Sequence, residues 1–107
     1  MFVELTKNRF IFAEWYRGVL IYASADRNVY DVIYDDGEED LGLCRRCVRP
    51  FIPYKLGESV EVRIEGDTEH FELGRVVALH PNELYDITLE DGFLIEDVPT
   101  SHIRRFR

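Results

Sequence analysis

The sequence predicts an all-β protein made of two copies of one small, strongly bent barrel of about five strands. Three observations predict it. The segment Val29-Tyr30-Asp31-Val32-Ile33-Tyr34-Asp35-Asp36-Gly37 aligns without gaps on Leu84-Tyr85-Asp86-Ile87-Thr88-Leu89-Glu90-Asp91-Gly92 at an offset of 55. The same offset sets Leu43 on Val98, Val48 on Ile103, Arg49 on Arg104 and Phe51 on Phe106. Upstream, Gly18-Val19-Leu20-Ile21 matches Gly74-Arg75-Val76-Val77 at an offset of 56, so one residue of loop differs. Strand, turn and tail keep one order, which marks a repeat of about 50 residues. Second, apolar residues come in short runs rich in Val, Ile, Tyr and Leu, bounded by polar turns. Third, no apolar pattern of period 3.6 persists for three turns, so no amphipathic helix is expected.

The elements follow in order. Residues 16–23 and 29–34 read as strands separated by the polar turn Ser24-Ala25-Asp26-Arg27-Asn28. Asp35-Asp36-Gly37 closes a hairpin, with the glycine supplying positive φ. Leu41 and Leu43 belong to the next strand. Arg45-Arg46-Cys47 reads as one tight helical turn before a final strand at Val48-Arg49. The second copy repeats this plan with strands at 59–64, 71–79, 84–89 and 93–98, a turn at Pro99-Thr100-Ser101-His102, and a strand at 103–106. The expected boundaries are 1–52 for the first repeat and 53–107 for the second. A barrel this small buries little, so each alone is marginal. The join Pro50-Phe51-Ile52-Pro53-Tyr54 is short, proline-stiffened and apolar, which predicts that the two barrels pack together.

Composition narrows the function. The chain has 107 residues, and 46% hydrophobic content permits a packed core. Thirteen Lys and Arg face 21 Asp and Glu, a formal charge of -8. Such a surface repels a phosphate backbone, which argues against a general nucleic-acid binder. There is no apolar run of the roughly 20 residues that span a bilayer, and no signal-peptide pattern. Two cysteines are too few for a disulfide framework, so a reducing compartment is the default. The length argues against a self-sufficient cofactor-dependent enzyme, and neither catalysis nor a cofactor is expected.

Within this frame, Trp15-Tyr16-Arg17-Gly18-Val19, then Tyr30-Asp31-Val32-Ile33-Tyr34-Asp35-Asp36-Gly37-Glu38, then Val48-Arg49, resembles a Tudor-like domain of the Tudor/Agenet superfamily. Leu56-Gly57-Glu58-Ser59-Val60-Glu61-Val62 through Glu90-Asp91-Gly92 to Ile103-Arg104 is similar to a second such domain. The resemblance covers nearly the whole chain. It implies two tandem SH3-like, five-stranded barrels and a peptide pocket lined by aromatics at one barrel end. It carries over residue by residue to Tyr16 ahead of the second-strand glycine, Tyr34 before the Asp-Asp-Gly turn, and Asp36 as the acidic contact to an ammonium. A further aromatic from the first strand or its loop falls to Phe10, Phe12 or Trp15. The position after the turn glycine is often aromatic; here it is Glu38, which implies a more acidic and open pocket. The implied ligand is a methylated lysine or arginine peptide, with a histone tail the first candidate, and the implied setting is nuclear or otherwise cytoplasmic. The alternative is a scaffold module that binds an unmodified partner with no working cage.

The chemistry of such a pocket is direct. A methylated ammonium keeps its charge and loses hydration and N–H donors. Aromatic faces attract it by roughly 0.5–2 kcal/mol per well-placed ring. A carboxylate adds Coulomb attraction and accepts from any remaining N–H. The second copy differs at these places: Leu73 stands for Tyr16, Leu89 for Tyr34, and Phe93 follows the glycine, while Asp91 remains. Leucine has no quadrupole, so binding is expected from the first repeat. The second repeat supports it or offers an acidic wall: residues 1–53 carry 7 basic and 9 acidic side chains, and residues 54–107 carry 6 and 12.

Plainer roles compete for the same residues. Strands favour aromatics, and Tyr85 keeps the place of Tyr30 in the copy without a pocket, so Tyr30 reads as structural. Tyr16 and Tyr34 divide evenly between hairpin packing and binding. Trp15 is a cage wall, a core plug or an inter-barrel contact. Cys44-Arg45-Arg46-Cys47 has CxxC spacing but no second ligand pair, and the matching positions are Pro99 and His102, so neither metal nor redox chemistry is expected. Arg45, Arg46 and Arg49, with Arg104, Arg105 and Arg107, form two basic patches expected to complement acidic loops of the other barrel. The first copy lacks the Leu-Gly-Glu lead-in of residues 56–58, so the chain reads as part of a larger protein or complex.

Overall fold

The computed structural model describes residues 1–6, 14–24, 26–27, 29–64 and 70–106. It is all-β, with ten antiparallel strands, three short 3-10 turns and no α-helix among the described residues. The chain divides into two compact units, Met1–Ile52 and Pro53–Phe106.

Unit 1 contains β1 (Phe2–Thr6), β2 (Glu14–Ser24), β3 (Val29–Tyr34), β4 (Glu39–Cys44), a 3-10 turn (Arg45–Cys47) and β5 (Val48–Pro50). Its ladders place β1 between β5 and β2, and β3 between β2 and β4. Unit 2 contains β6 (Ser59–Arg63), β7 (Phe71–His80), a 3-10 turn (Pro81–Glu83), β8 (Leu84–Leu89), β9 (Leu94–Pro99), a second 3-10 turn (Thr100–His102) and β10 (Ile103–Phe106). Here β6 lies between β10 and β7, and β8 between β7 and β9. The two units therefore share one strand order.

The all-β, antiparallel part of the expectation is met, but no closed ring of ladders, as a barrel would require, is seen among the described residues. Among the described residues no ladder joins β4 to β5. In the 3-10 turn between them the Val48 N–H donates to the Arg45 carbonyl, as the Ile103 N–H does to Thr100 in unit 2.

The strands bend at matching places. Register slips between Leu20 and Tyr22 on β2, and between Val76 and Ala78 on β7. It slips again between Tyr30 and Val32 on β3, and between Tyr85 and Ile87 on β8. Such bulges add twist and curl a short sheet. An aspartate stabilises each second bulge: Asp31 Oδ1 accepts the Gly42 N–H at 2.8 Å, and Asp86 Oδ1 accepts the Asp97 N–H at 3.0 Å. This explains why aspartate follows tyrosine in both copies.

Alternation along the strands builds the cores. Val32 and Tyr34 on β3 are buried, as are Tyr85, Ile87 and Leu89 on β8. In unit 1 they join Val3, Leu5, Leu43 and Cys47 in one cluster, with Tyr16, Leu20, Cys44 and Val48 packed against it. Gly18 pairs with Tyr34 across the β2–β3 ladder, and Gly74 pairs with Leu89. A Cβ on Gly18 would lie 2.7 Å from both the Ile33 carbonyl oxygen and Leu5 Cδ1, so only glycine lets these strands approach so closely.

Three of the arginines at the repeat ends, Arg49, Arg104 and Arg105, have acidic partners inside their own units. Arg49 stands opposite Glu4 in the β1–β5 register and donates to its Oε2 at 3.0 Å. Arg104 stands opposite Glu61 and donates to its Oε1 at 3.0 Å, and Arg105 donates to Glu58 at 2.6 Å. For these three arginines an acidic partner therefore lies within the same unit. Cross-strand register supplies the partner locally.

Candidate functional site

The β3–β4 hairpin presents the candidate residues of unit 1. The Gly37 N–H donates to the Tyr34 carbonyl at 2.9 Å, and the Tyr34 N–H donates to the Glu38 carbonyl at 2.8 Å. Gly37 holds φ at +92°, which a Cβ would oppose. Asp36 Oδ1 accepts the Glu38 N–H at 3.0 Å, an Asx-type turn that fixes the first carboxylate and leaves it exposed. Asp35 points the other way. Its Oδ2 accepts from Arg17 Nε at 2.8 Å, and the Arg17 guanidinium lies 4.0 Å over the Phe2 ring. The buried arginine thus neutralises Asp35, and the negative charge of the turn is carried outward by the exposed side chains of Asp36 and Glu38.

Tyr16 and Tyr34 come together. Their ring centroids are 6.3 Å apart with planes at 89°, an edge-to-face pair rather than two faces across a gap. Tyr34 is only 4% exposed and belongs to the core cluster; Tyr16 is half-buried against that cluster. The Tyr34 hydroxyl donates to Asp40 Oδ2 at 3.2 Å. Burial, and then the Asp40 charge, push the phenol well above its ordinary range, so it is a neutral donor at all physiological pH.

Trp15 lies elsewhere. It pairs with Thr6 on β1, is 9% exposed, and carries the Arg49 guanidinium 3.8 Å over its ring. Its face is covered by a cation of the same chain. Among the described residues its indole Nε1 has no hydrogen-bond partner. Phe71 is its counterpart in unit 2, with Arg104 3.7 Å over the ring. Phe10 and Phe12 lie outside the described residues.

Unit 2 repeats the hairpin with different walls. The Leu89–Gly92 turn has the same bonds, and Asp91 Oδ1 accepts the Phe93 N–H at 2.9 Å. The counterpart of Tyr16 is Glu72, not Leu73: Glu72 pairs with Val62 as Tyr16 pairs with Leu5. The signal was present in the sequence, since the offset fixed by Gly18 and Gly74 places Glu72 there. With Glu72 and Leu89 in place of two rings, a cavity of about 620 Å³ opens beside them, lined also by Asp91, Phe93, Ile95 and Val98. Phe93 is 65% exposed at its mouth.

One further cluster carries ligand chemistry. His80, Asp86 and Asp97 bring one ligand atom each within 4.8 Å of the others. His80 Nε2 lies 2.8 Å from Asp86 Oδ2, so imidazole and carboxylate already satisfy each other. No known family model matches the chain, and no curated protein sequence matches it either.

Proposed function

We propose that the chain is a non-catalytic, tandem Tudor-like module, built of two SH3-like units. It binds a methylated lysine or arginine peptide at the Tyr16–Tyr34 corner of unit 1, with a histone tail the first candidate and a nuclear setting implied. The carrying observation is the perpendicular ring pair, with Tyr34 on the same hairpin as the exposed Asp36 and Tyr16 on the neighbouring strand β2, a pairing that unit 2 replaces with Glu72 and Leu89. Tyr16, half-buried, offers the ring wall to an alkylated cation, with the core ring of Tyr34 set edge-to-face behind it. Asp36 and Glu38 supply the opposing charge, and the acidic surface draws a basic peptide towards them.

A second reading has its own support. Tyr34 is 4% exposed and its hydroxyl is tied to Asp40, which suits a hairpin plug in a scaffold module without a working cage. Titration calorimetry with paired methylated and unmodified basic peptides separates the two. The reader requires tighter binding of the methylated peptide. It also requires that Tyr16→Ala weaken that binding about 3- to 30-fold, the equivalent of one lost ring contact. Equal affinity for both peptides, or binding indifferent to Tyr16→Ala and Asp36→Asn, selects the scaffold.

A further inference from the structure

Cys44 ends β4 and Cys47 ends the 3-10 turn that leads into β5. Both are thiols, their sulfurs are 3.4 Å apart, and they share a hydrogen bond. The backbone alone sets this proximity. The matching turn of unit 2 has Pro99 and His102 at these positions and the same geometry. The residue before the turn has φ -76° and ψ 160° at Cys44, against φ -77° and ψ 160° at Pro99. The N–H after the turn bonds back to its first carbonyl in both. The turn therefore does not need the thiols; it holds them in place for each other. A pair held this way reacts as an intramolecular pair, with a high effective concentration.

We propose that Cys44 and Cys47 form an oxidisable dithiol, a covalent modification site that a small disulfide of the glutathione type converts to an intramolecular disulfide. The order of events follows from exposure. Cys44 is half-buried and reachable, whereas Cys47 is 2% exposed and part of the core cluster. Arg45 and Arg46, both exposed between them, attract an anionic reagent. Cys44 gives up its proton and its sulfur attacks one sulfur of the reagent. The reagent's S–S bond breaks, and one small thiolate leaves and takes up a proton. Cys47 then loses its proton and attacks Cys44 Sγ. The mixed disulfide breaks, the protein S–S bond forms, and the second small thiolate leaves and is protonated. The protein loses two protons and two electrons, and the reagent is reduced to two thiols. The core-side sulfur thus acts as the resolving group and the half-exposed sulfur as the point of attack.

The test uses the folded, reduced full chain with excess oxidised glutathione, read by intact mass and by alkylation of remaining thiols. The wild-type protein is expected to lose the mass of two hydrogens and retain no glutathione. Cys47→Ala is expected to accumulate one stable glutathione adduct. Cys44→Ser sits at the half-exposed position, outside the fully buried cluster, and is expected to react about tenfold or more slowly than wild type. A wild-type protein that stops at a stable adduct overturns the proposal. So does one that stays a dithiol under conditions that oxidise the urea-unfolded chain, or equal rates for wild type and Cys44→Ser.

Discussion

Replacing Gly18 by alanine tests the close approach on which the unit 1 hairpin depends. The added Cβ would meet the Ile33 carbonyl oxygen at 2.7 Å and Leu5 Cδ1 at 2.7 Å. Both contacts are roughly 0.8 Å inside the ~3.5 Å at which non-bonded atoms attract. Leu5 is fully buried, and the Ile33 oxygen belongs to strand backbone, so neither can retreat without moving its neighbours. Overpacking of this kind costs about 2 kcal/mol or more. With a urea dependence of about 1 kcal/mol/M for a unit of this size, the midpoint should fall by about 2 M. Trp15 is the sole tryptophan and lies buried in unit 1, so its fluorescence reports this unit directly. Gly37→Ala is the control. Nothing lies within 4 Å of its Cβ, and only the φ of +92° is strained. Its cost should be nearer 1 kcal/mol. A Gly18→Ala midpoint close to wild type at unchanged slope refutes the reasoning, as does a larger loss for Gly37→Ala.

Three other outcomes are expected. Arg49→Met removes the partner of Glu4, which is 2% exposed, and uncovers the Trp15 ring; because Arg49 is itself 38% exposed and solvent-screened, the loss should be about 2 kcal/mol, with a red shift of tryptophan emission. Adding Glu4→Gln to Arg49→Met should recover part of that loss in the same denaturation assay. Tyr34→Phe removes the bond to Asp40 and should cost about 1 kcal/mol. Since the folded phenol lies above its ordinary 10.0, wild-type stability should fall as pH rises beyond 10.0, and the variant should fall less steeply. His80 is raised above 6.5 chiefly by its bond to Asp86, so the stability it contributes is complete below 6.5 and lost as pH rises through the raised value. His80→Ala should abolish that segment of the stability profile, measured by thermal melts across neutral pH.

The hairpins were legible because their signals are local. Tyr-Asp-Val-Ile-Tyr followed by Asp-Asp-Gly carries alternation and a turn in nine residues from Val29 to Gly37, and the β3 strand ends at Tyr34 where the turn begins. The tight turn at Arg45–Cys47 was equally readable from its short spacing. The first strand, Phe2–Thr6, was not, because Val3, Glu4, Leu5 and Thr6 are all buried and show no alternation. Its buried glutamate is matched by Arg49, which stands opposite in a ladder that joins residues 45 apart. The intra-unit partners of Arg49 and Arg104 were hidden for the same reason, since cross-strand partners are not visible along the chain. The site was legible in residue type but not in orientation. Strand alternation places Tyr34 on the face of Val32, while packing decides that the ring meets Tyr16 edge-on.

The matching corners after β4 and β9 have a practical use. One backbone socket accepts Cys44 and Cys47 in one half and Pro99 and His102 in the other, with the dihedral angles before the turn alike and those after it differing by about 10°. The position before the turn, half-buried as Cys44 and as Pro99, is the replaceable one; a single metal-chelating or dye-bearing side chain could be seated there in either half, giving each half its own label.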